Sequence, residues 1–207
     1  APEGSVVKST SIDPSVLDDD GVYRKTGPAR MFTNEPDAIK AIKGQTDHPV
    51  KPGDIVILCS RGPMGTGMEE TAQLTLALKY ISWGKDVTLL TDARFSGVST
   101  GACVGHVGPE ALSGGPIGKI RDGDTIQVII DRNKLEGSID LIGEDERRFS
   151  PQEGIDILAS RSSRENLKPD SRLPEDSRLW AALQNTSGGT WGGCVFDVDS
   201  IVDKLNS

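Results

Sequence analysis

One stretch, residues 52–91, constrains the fold more than any other. Pro52-Gly53-Asp54 is a turn signal, and Ile55-Val56-Ile57-Leu58-Cys59 is an unbroken apolar run, the pattern of a strand buried on both faces. A glycine-rich loop follows, Arg61-Gly62-Pro63-Met64-Gly65-Thr66-Gly67. Next, Leu74, Ala77, Leu78 and Ile81 recur at i, i+3, i+4, i+7, which predicts a helix over about residues 68–81. Gly84 ends that helix, and Val87-Thr88-Leu89-Leu90 reads as a second buried strand. Strand, helix, strand with a short loop at each junction is a β-α-β unit, so the two strands are expected to be parallel and the crossover right-handed.

The flanks extend this core. Residues 4–10 are expected to form a first strand and Ala29-Arg30-Met31-Phe32 a short one. Asn34 is placed to cap a helix through Ala38, Ala41 and Ile42 that stops at Gly44. After the loop at residues 91–100 the pattern suggests a short helical or irregular stretch. Ile126, Val128 and Ile130 then alternate in a strand over residues 124–131, with a turn at Arg132-Asn133 and a partner strand over residues 135–142. Pro151 opens a helix to about Ala159. Residues 161–178, polar and rich in Ser and Pro, read as a surface excursion, and a last short helix starts at Asp199.

Composition narrows the function classes. The formal net charge of −8, with no Lys/Arg cluster, argues against nucleic acid as a partner. No apolar stretch approaches the roughly 20 residues that span a bilayer, and no signal peptide opens the chain. Cys59, Cys103 and Cys194 are odd in number and 44 (103 − 59) and 91 (194 − 103) residues apart, which fits neither a disulfide framework nor metal-ligand spacing. A reducing, cytoplasmic location is expected. The chain begins Ala1-Pro2-Glu3-Gly4-Ser5 without an initiator Met, which reads as a linker inside something longer.

In an open parallel sheet, ligands bind beyond the carboxyl ends of the strands. That edge gathers the loop after residue 59 and the loop at residues 91–100, and so the carboxylates Glu69 and Glu70 with the hydroxyls Ser96, Ser99 and Thr100. Thr66-Gly67-Met68-Glu69 matches a capping box, which would turn Glu69 back onto the backbone and leave Glu70 to face a ligand or a hard cation. Alternatively, both glutamates simply complement a helix N-terminus. The glycine loop is not a phosphate loop: no Gly-Lys-Ser/Thr follows, and the third glycine of a dinucleotide fingerprint would fall at Glu70. Ser96 stands in no nucleophile elbow, and neither His48 nor His106 forms a triad order with it, so Ser96 is either a turn residue or a base activated by nearby donors or cations. His106, in a glycine-rich loop, is either structural or a ligand-orienting group.

Together these blocks resemble one family. Gly62-Pro63-Met64-Gly65-Thr66-Gly67-Met68-Glu69-Glu70, then Gly84-Lys85-Asp86-Val87-Thr88-Leu89-Leu90-Thr91-Asp92-Ala93-Arg94-Phe95-Ser96-Gly97, then Gly105-His106-Val107-Gly108-Pro109-Glu110-Ala111 and Gly114-Gly115-Pro116-Ile117 are similar in order and spacing to the dihydroxy-acid, phosphogluconate and sugar-acid dehydratases. Two flanks, Val22-Tyr23-Arg24-Lys25-Thr26-Gly27-Pro28-Ala29 and Leu179-Trp180-Ala181-Ala182-Leu183-Gln184-Asn185, look like the pentonate (xylonate-type) branch.

The resemblance implies an α/β fold: a swivelling β/β/α domain with a mixed β-barrel core, of the aconitase-like type. Residues 1–207 would be the carboxyl-terminal domain, with a core over about 4–160 and an extension over 161–207. An amino-terminal domain, absent from this chain, would carry an iron–sulfur cluster, usually 2Fe–2S, and most ligands of a Mg²⁺ ion. The implied reaction is loss of water from a sugar acid to give the 2-keto-3-deoxy acid. Glu70 would supply a metal ligand, Ser96 the base, and Ser99 or Thr100 a substrate-binding hydroxyl. Implied partners are the small sugar acid, the chain's own amino-terminal domain and further copies in a homo-oligomer, with no nucleic acid and no membrane. Where branched-chain dihydroxy-acid dehydratases tend to have Gly, this chain has Ala93, and where they have Gly-Thr-Arg it has Val98-Ser99-Thr100. That branch is therefore the second reading, and a non-catalytic module of the same fold the third.

Overall fold

The apolar run at residues 55–59 lies at the centre of the molecule because it has an apolar layer to bury on each side. The computed structural model describes residues 1–190 and 195–207. Among them, β1 (Gly4–Val7), β2 (Val22–Phe32), β3 (Ile55–Leu58), β4 (Thr88–Thr91), β5 (Ala102–Gly108), β6 (Thr125–Asp131), β7 (Glu136–Glu144) and β8 (Arg147–Arg148) form one mixed sheet. Their spatial order is β1-β5-β4-β3-β2-β6-β7-β8. β2, β3, β4 and β5 run parallel, with Ile55 opposite both Ala29 and Thr88; for β3 and β4 this is the parallel pairing that the β-α-β pattern predicts. β1 and β6 to β8 add antiparallel edges.

β2 is longer than its apolar signature. Ala29 to Phe32 pair with β3, while Val22 to Pro28 pair antiparallel with β6, so one strand serves two neighbours in succession. Close approach at the changeover requires Gly27, where an added Cβ would lie 2.0 Å from the Gly53 carbonyl oxygen. The sheet curls around one core, built from Ile55, Ile57, Leu90, Val104, Ile126, Val128 and Leu141, and remains open as a half-barrel. Between its edges a cavity of about 680 Å³ is lined by residues of β1, β6, β7 and the helix α4 (Pro151–Ser160). On the convex face, Val56, Leu58, Leu89 and Cys103 pack under α1 (Glu35–Ile42) and α3 (Ala72–Lys79). Alternate residues of β3 thus feed two cores, which is why the run shows no polar face.

Local signals set the helix ends. Asn34 caps α1 by accepting from the Asp37 N–H at 2.9 Å. At α4, Ser150 and Glu153 form a reciprocal capping box in front of Pro151.

Three expectations need correction. The stretch after residue 100 is β5 rather than helical or irregular: Ala102, Cys103 and the two glycines carry little strand propensity, and burial between β1 and β4 decides the outcome. The helix expected from Met68 begins only at Ala72, because α2 (Pro63–Thr66) forms first and Gly67 ends it in the left-handed conformation. Residues 161–174 run over the surface without helix or strand, as expected, but a helix opens at Glu175, inside the expected excursion, and residues 161–170 are tied to the domain. Arg161 pairs with buried Asp124 at 2.6 Å, and the Arg164 and Asp170 N–H groups donate to Gly118 and Gly65. Beyond them, α5 (Glu175–Thr186) packs on α2, and α6 (Val198–Asn206) closes the chain.

Candidate active site at the carboxyl edge of the sheet

Three loops leave the carboxyl ends of β3, β4 and β5 and are laced together there. The Asp92 carboxylate, fully buried after β4, accepts from the N–H groups of Ser60 at 3.1 Å, Arg61 at 2.9 Å and Ala111 at 3.0 Å. One side chain thus joins all three loops. Glu110, 7% exposed, accepts from the Met64 N–H at 3.0 Å, at the amino end of α2. Burial pushes its carboxyl up to about 7. The His106 N–H donates to the Ala93 carbonyl at 2.8 Å. Burial and the nearby Arg94 lower the His106 pKa, which favours the neutral imidazole.

Backbone strain gathers at the same edge. Ser60, Met68 and His106 have positive φ values of 64°, 65° and 52°. Such conformations persist only where the surroundings over-determine them, and they concentrate at functional sites. The Ser60 hydroxyl is buried without a hydrogen-bond partner among the described residues.

Glu69 and Glu70 have different surroundings, for a reason other than the capping box. Thr66 Oγ1 does accept from the Glu69 N–H at 3.1 Å, but the Glu69 carboxylate does not return to the Thr66 backbone. Arg61 holds it instead through both oxygens, Nε at 2.7 Å and Nη2 at 2.6 Å. Glu70 is exposed, and its ion pair is with the exposed Arg94 at 3.6 Å, a contact that water screens. Residues 69–71 run alongside Arg94: the Arg94 N–H donates to Glu69 and the Thr71 N–H to Arg94. Glu70 therefore lies beside the loop that carries Ser96, two residues past Arg94.

Ser96 is half-buried, and its Oγ accepts weakly from the Val98 N–H at 3.4 Å. Ser99 is 3% exposed and its hydroxyl pairs with Thr75 Oγ1 at 3.1 Å, so it is turned into the protein. Thr100 is half-buried beside it. Lys8, just past β1, donates to the Gly97 carbonyl and anchors the loop from outside. Sequence reasoning missed Arg61, Asp92 and Glu110 as site-building groups. Asp92 had a legible signal, a carboxylate ending the buried run Leu89-Leu90-Thr91.

The donor set can be tested against the implied cofactors. Glu70 offers one accessible hard oxygen donor, which suits Mg²⁺ as a single ligand. Among the described residues no group of three or more His, Cys, Asp or Glu side chains could hold a metal ion, so further ligands would have to come from elsewhere. Cys59 and Cys103 do not fit a cluster: both are buried and burial pushes each thiol up to about 12, whereas iron–sulfur ligands are thiolates. Cys194 lies outside the described residues.

Comparison with known proteins decides the family. The model of the dihydroxy-acid/6-phosphogluconate dehydratase carboxyl-terminal domain matches residues 1–171. The chain belongs to that family. Two D-xylonate dehydratases of Escherichia coli K12 are similar over almost all of it: YagF, 57% identical over 207 residues, and YjhG, 55% identical over 203 residues. A dihydroxy-acid dehydratase of Leifsonia xyli is 40% identical over 174 residues, 84% of this chain. The chain spans only 31% of YagF, 30% of YjhG and 28% of the Leifsonia enzyme, about a third of each dehydratase's length. No helix among the described residues is long and apolar enough to cross a membrane.

Proposed function

We propose that this chain is the carboxyl-terminal domain of a sugar-acid hydro-lyase, one that removes water from a pentonate-type 2,3-dihydroxy acid to leave the 2-keto-3-deoxy acid. The observation that carries this reading is the pairing of residues 69–71 with Arg94, which draws an accessible carboxylate and the Ser96 loop to one sheet edge. In this reading Glu70 is a ligand of Mg²⁺ and Ser96 takes the C2 proton. Thr100 is the more accessible of the two hydroxyls suggested for substrate, because Ser99 is occupied by Thr75. His106, in its favoured neutral form, is available to donate a hydrogen bond without adding charge. Among the described residues Ser96 has no base as a hydrogen-bond partner, so in this reading its activation relies on cations brought near it. Bound in the complete enzyme, Mg²⁺, with Glu70 as one of its ligands, and a 2Fe–2S cluster held by residues outside this chain would supply Lewis acidity toward the C2 proton and the 3-hydroxyl.

The missing ligands and the cluster are assigned to an amino-terminal domain of the full-length enzyme, against which this domain would sit as a swivelling, aconitase-like unit in a cytoplasmic homo-oligomer. The sugar-acid branch is preferred because the two D-xylonate dehydratases match 97–100% of the chain at 55–57% identity. Dihydroxy-acid dehydratases match 70–84% of it at 40–45%.

The test is a substrate comparison with the full-length enzyme containing this chain, following 2-keto acid formation from D-xylonate and from a branched-chain 2,3-dihydroxy acid. The sugar acid should be preferred at least about tenfold in kcat/KM. A preference for the branched acid would move the chain to the other branch.

A further inference from the structure

We infer that Arg61, clasped between Glu69 and Asp170, is a positioning residue for Glu70. The inference rests on the reading of Glu70 as a metal ligand and adds the device that aims it. Arg61 follows strained Ser60, and Asp92 already fixes its backbone N–H. Its side chain, 7% exposed, folds back across the glycine loop. Nε and Nη2 fork onto the two oxygens of Glu69, while Nη1 donates to the Thr33 carbonyl at 3.3 Å and to Asp170 at 3.4 Å. The loop is thereby tied to itself, residue 61 to residue 69.

Asp170 is fixed in its turn. Its N–H donates to the Gly65 carbonyl at 2.8 Å, and Arg172 holds its carboxylate at 3.0 and 3.1 Å. The result is a line of alternating charge, Arg172–Asp170–Arg61–Glu69, that ends one residue before Glu70. A planar, five-donor guanidinium makes these four hydrogen bonds, the fork on Glu69 included, whereas an ammonium has only three donors and no fork.

The loop has ties besides the clasp. Asp92 holds its start, Glu110 holds the amino end of α2, and the Asp170 N–H holds Gly65. Among the described residues, it is Arg61 that hydrogen-bonds the carboxylate of Glu69, in the extended segment beyond α2. With that carboxylate forked, its N–H bonded to Thr66 and its carbonyl accepting from Arg94, residue 69 is held at three points, which restrains the backbone from which Glu70 projects. The screened contact to Arg94 is too weak to do this. Arg61 also occupies the neighbouring carboxylate, which would otherwise compete with Glu70 for the same cation.

The experiment uses the full-length enzyme and Mn²⁺ as the probe, counting free Mn²⁺ by its electron paramagnetic resonance signal, a readout independent of turnover. Arg61→Lys keeps the charge and loses the fork. It should weaken Mn²⁺ binding about tenfold, the usual scale for a residue that orients a metal ligand. The melting temperature should move by only a few degrees. Asp170→Asn should weaken binding in the same direction, by less, and it remains informative if Arg61→Lys does not fold. Glu70→Gln is the reference. If Glu70→Gln loses Mn²⁺ while Arg61→Lys and Asp170→Asn bind it normally, Arg61 is only structural and the inference is overturned. If Glu70→Gln itself binds Mn²⁺ normally, the metal-ligand reading fails, and the positioning role with it.

Discussion

Replacing Glu110 by Gln should change how the stability of this domain depends on pH. Glu110 is buried at the amino end of α2, where the Met64 N–H favours its charged form while burial and neighbouring Asp92 oppose it, and burial prevails. Its pKa is raised from 4.5 to about 7 in the folded protein. Below pH 4.5 the group is protonated in both folded and unfolded chains, so its contribution is fully present. Between pH 4.5 and 7 only the unfolded chain ionises, and stability falls. Above pH 7 the loss is complete, at about 3 kcal/mol for a shift of this size. Gln at this position can still accept from Met64 and does not titrate. The stability difference between Glu110→Gln and the parent should therefore move in favour of the variant by about 3 kcal/mol from pH 4.5 to 8. Urea unfolding followed by far-ultraviolet circular dichroism at half-unit pH steps reads this directly. A difference that stays flat within about 1 kcal/mol would refute the reasoning, because it would mean that the N–H groups of α2 outweigh burial.

Two further substitutions test the packing that supports the site. Gly154→Ala, in the interior of α4, would ordinarily gain about 1 kcal/mol. Here the added Cβ would lie 1.9 Å from the Leu141 carbonyl oxygen, so the domain should lose about 1–3 kcal/mol in urea unfolding; a gain would mean that α4 does not sit on β7. Arg161→Met leaves Asp124, only 2% exposed, without its ion partner and should cost about 3 kcal/mol in the same assay, whereas a loss under about 1 kcal/mol would show that water reaches the pair.

What the sequence made legible was the part whose burial is uniform or whose caps are local. β3, β4 and their parallel orientation follow from apolar runs broken by Gly and Pro, and the starts of α1 and α4 follow from Asn34 and Pro151. β5 was not legible, because its strand identity comes from two neighbours far away in the chain rather than from its own Ala, Cys and Gly residues. The start of α3 was misplaced because the apolar spacing counts Met68 while Gly67, in the left-handed conformation, has already ended α2. Within the site, choosing Glu70 as the accessible carboxylate rested on a capping box of which the structure forms only the Thr66 half. The group that occupies Glu69 is Arg61, and nothing in the local pattern reveals a guanidinium that folds back eight residues. Asp92 and Glu110 have visible partners only once three loops from three strands stand side by side.

Ser96→Ala in the full-length enzyme tests the account most directly, with turnover of the sugar acid, exchange of its C2 proton with deuterated water and cluster absorbance measured together. A serine that removes the C2 proton predicts that turnover and exchange fall together by at least about a hundredfold while the cluster spectrum is unchanged. Near-normal turnover or undiminished exchange in that variant would contradict it and remove Ser96 from the chemistry.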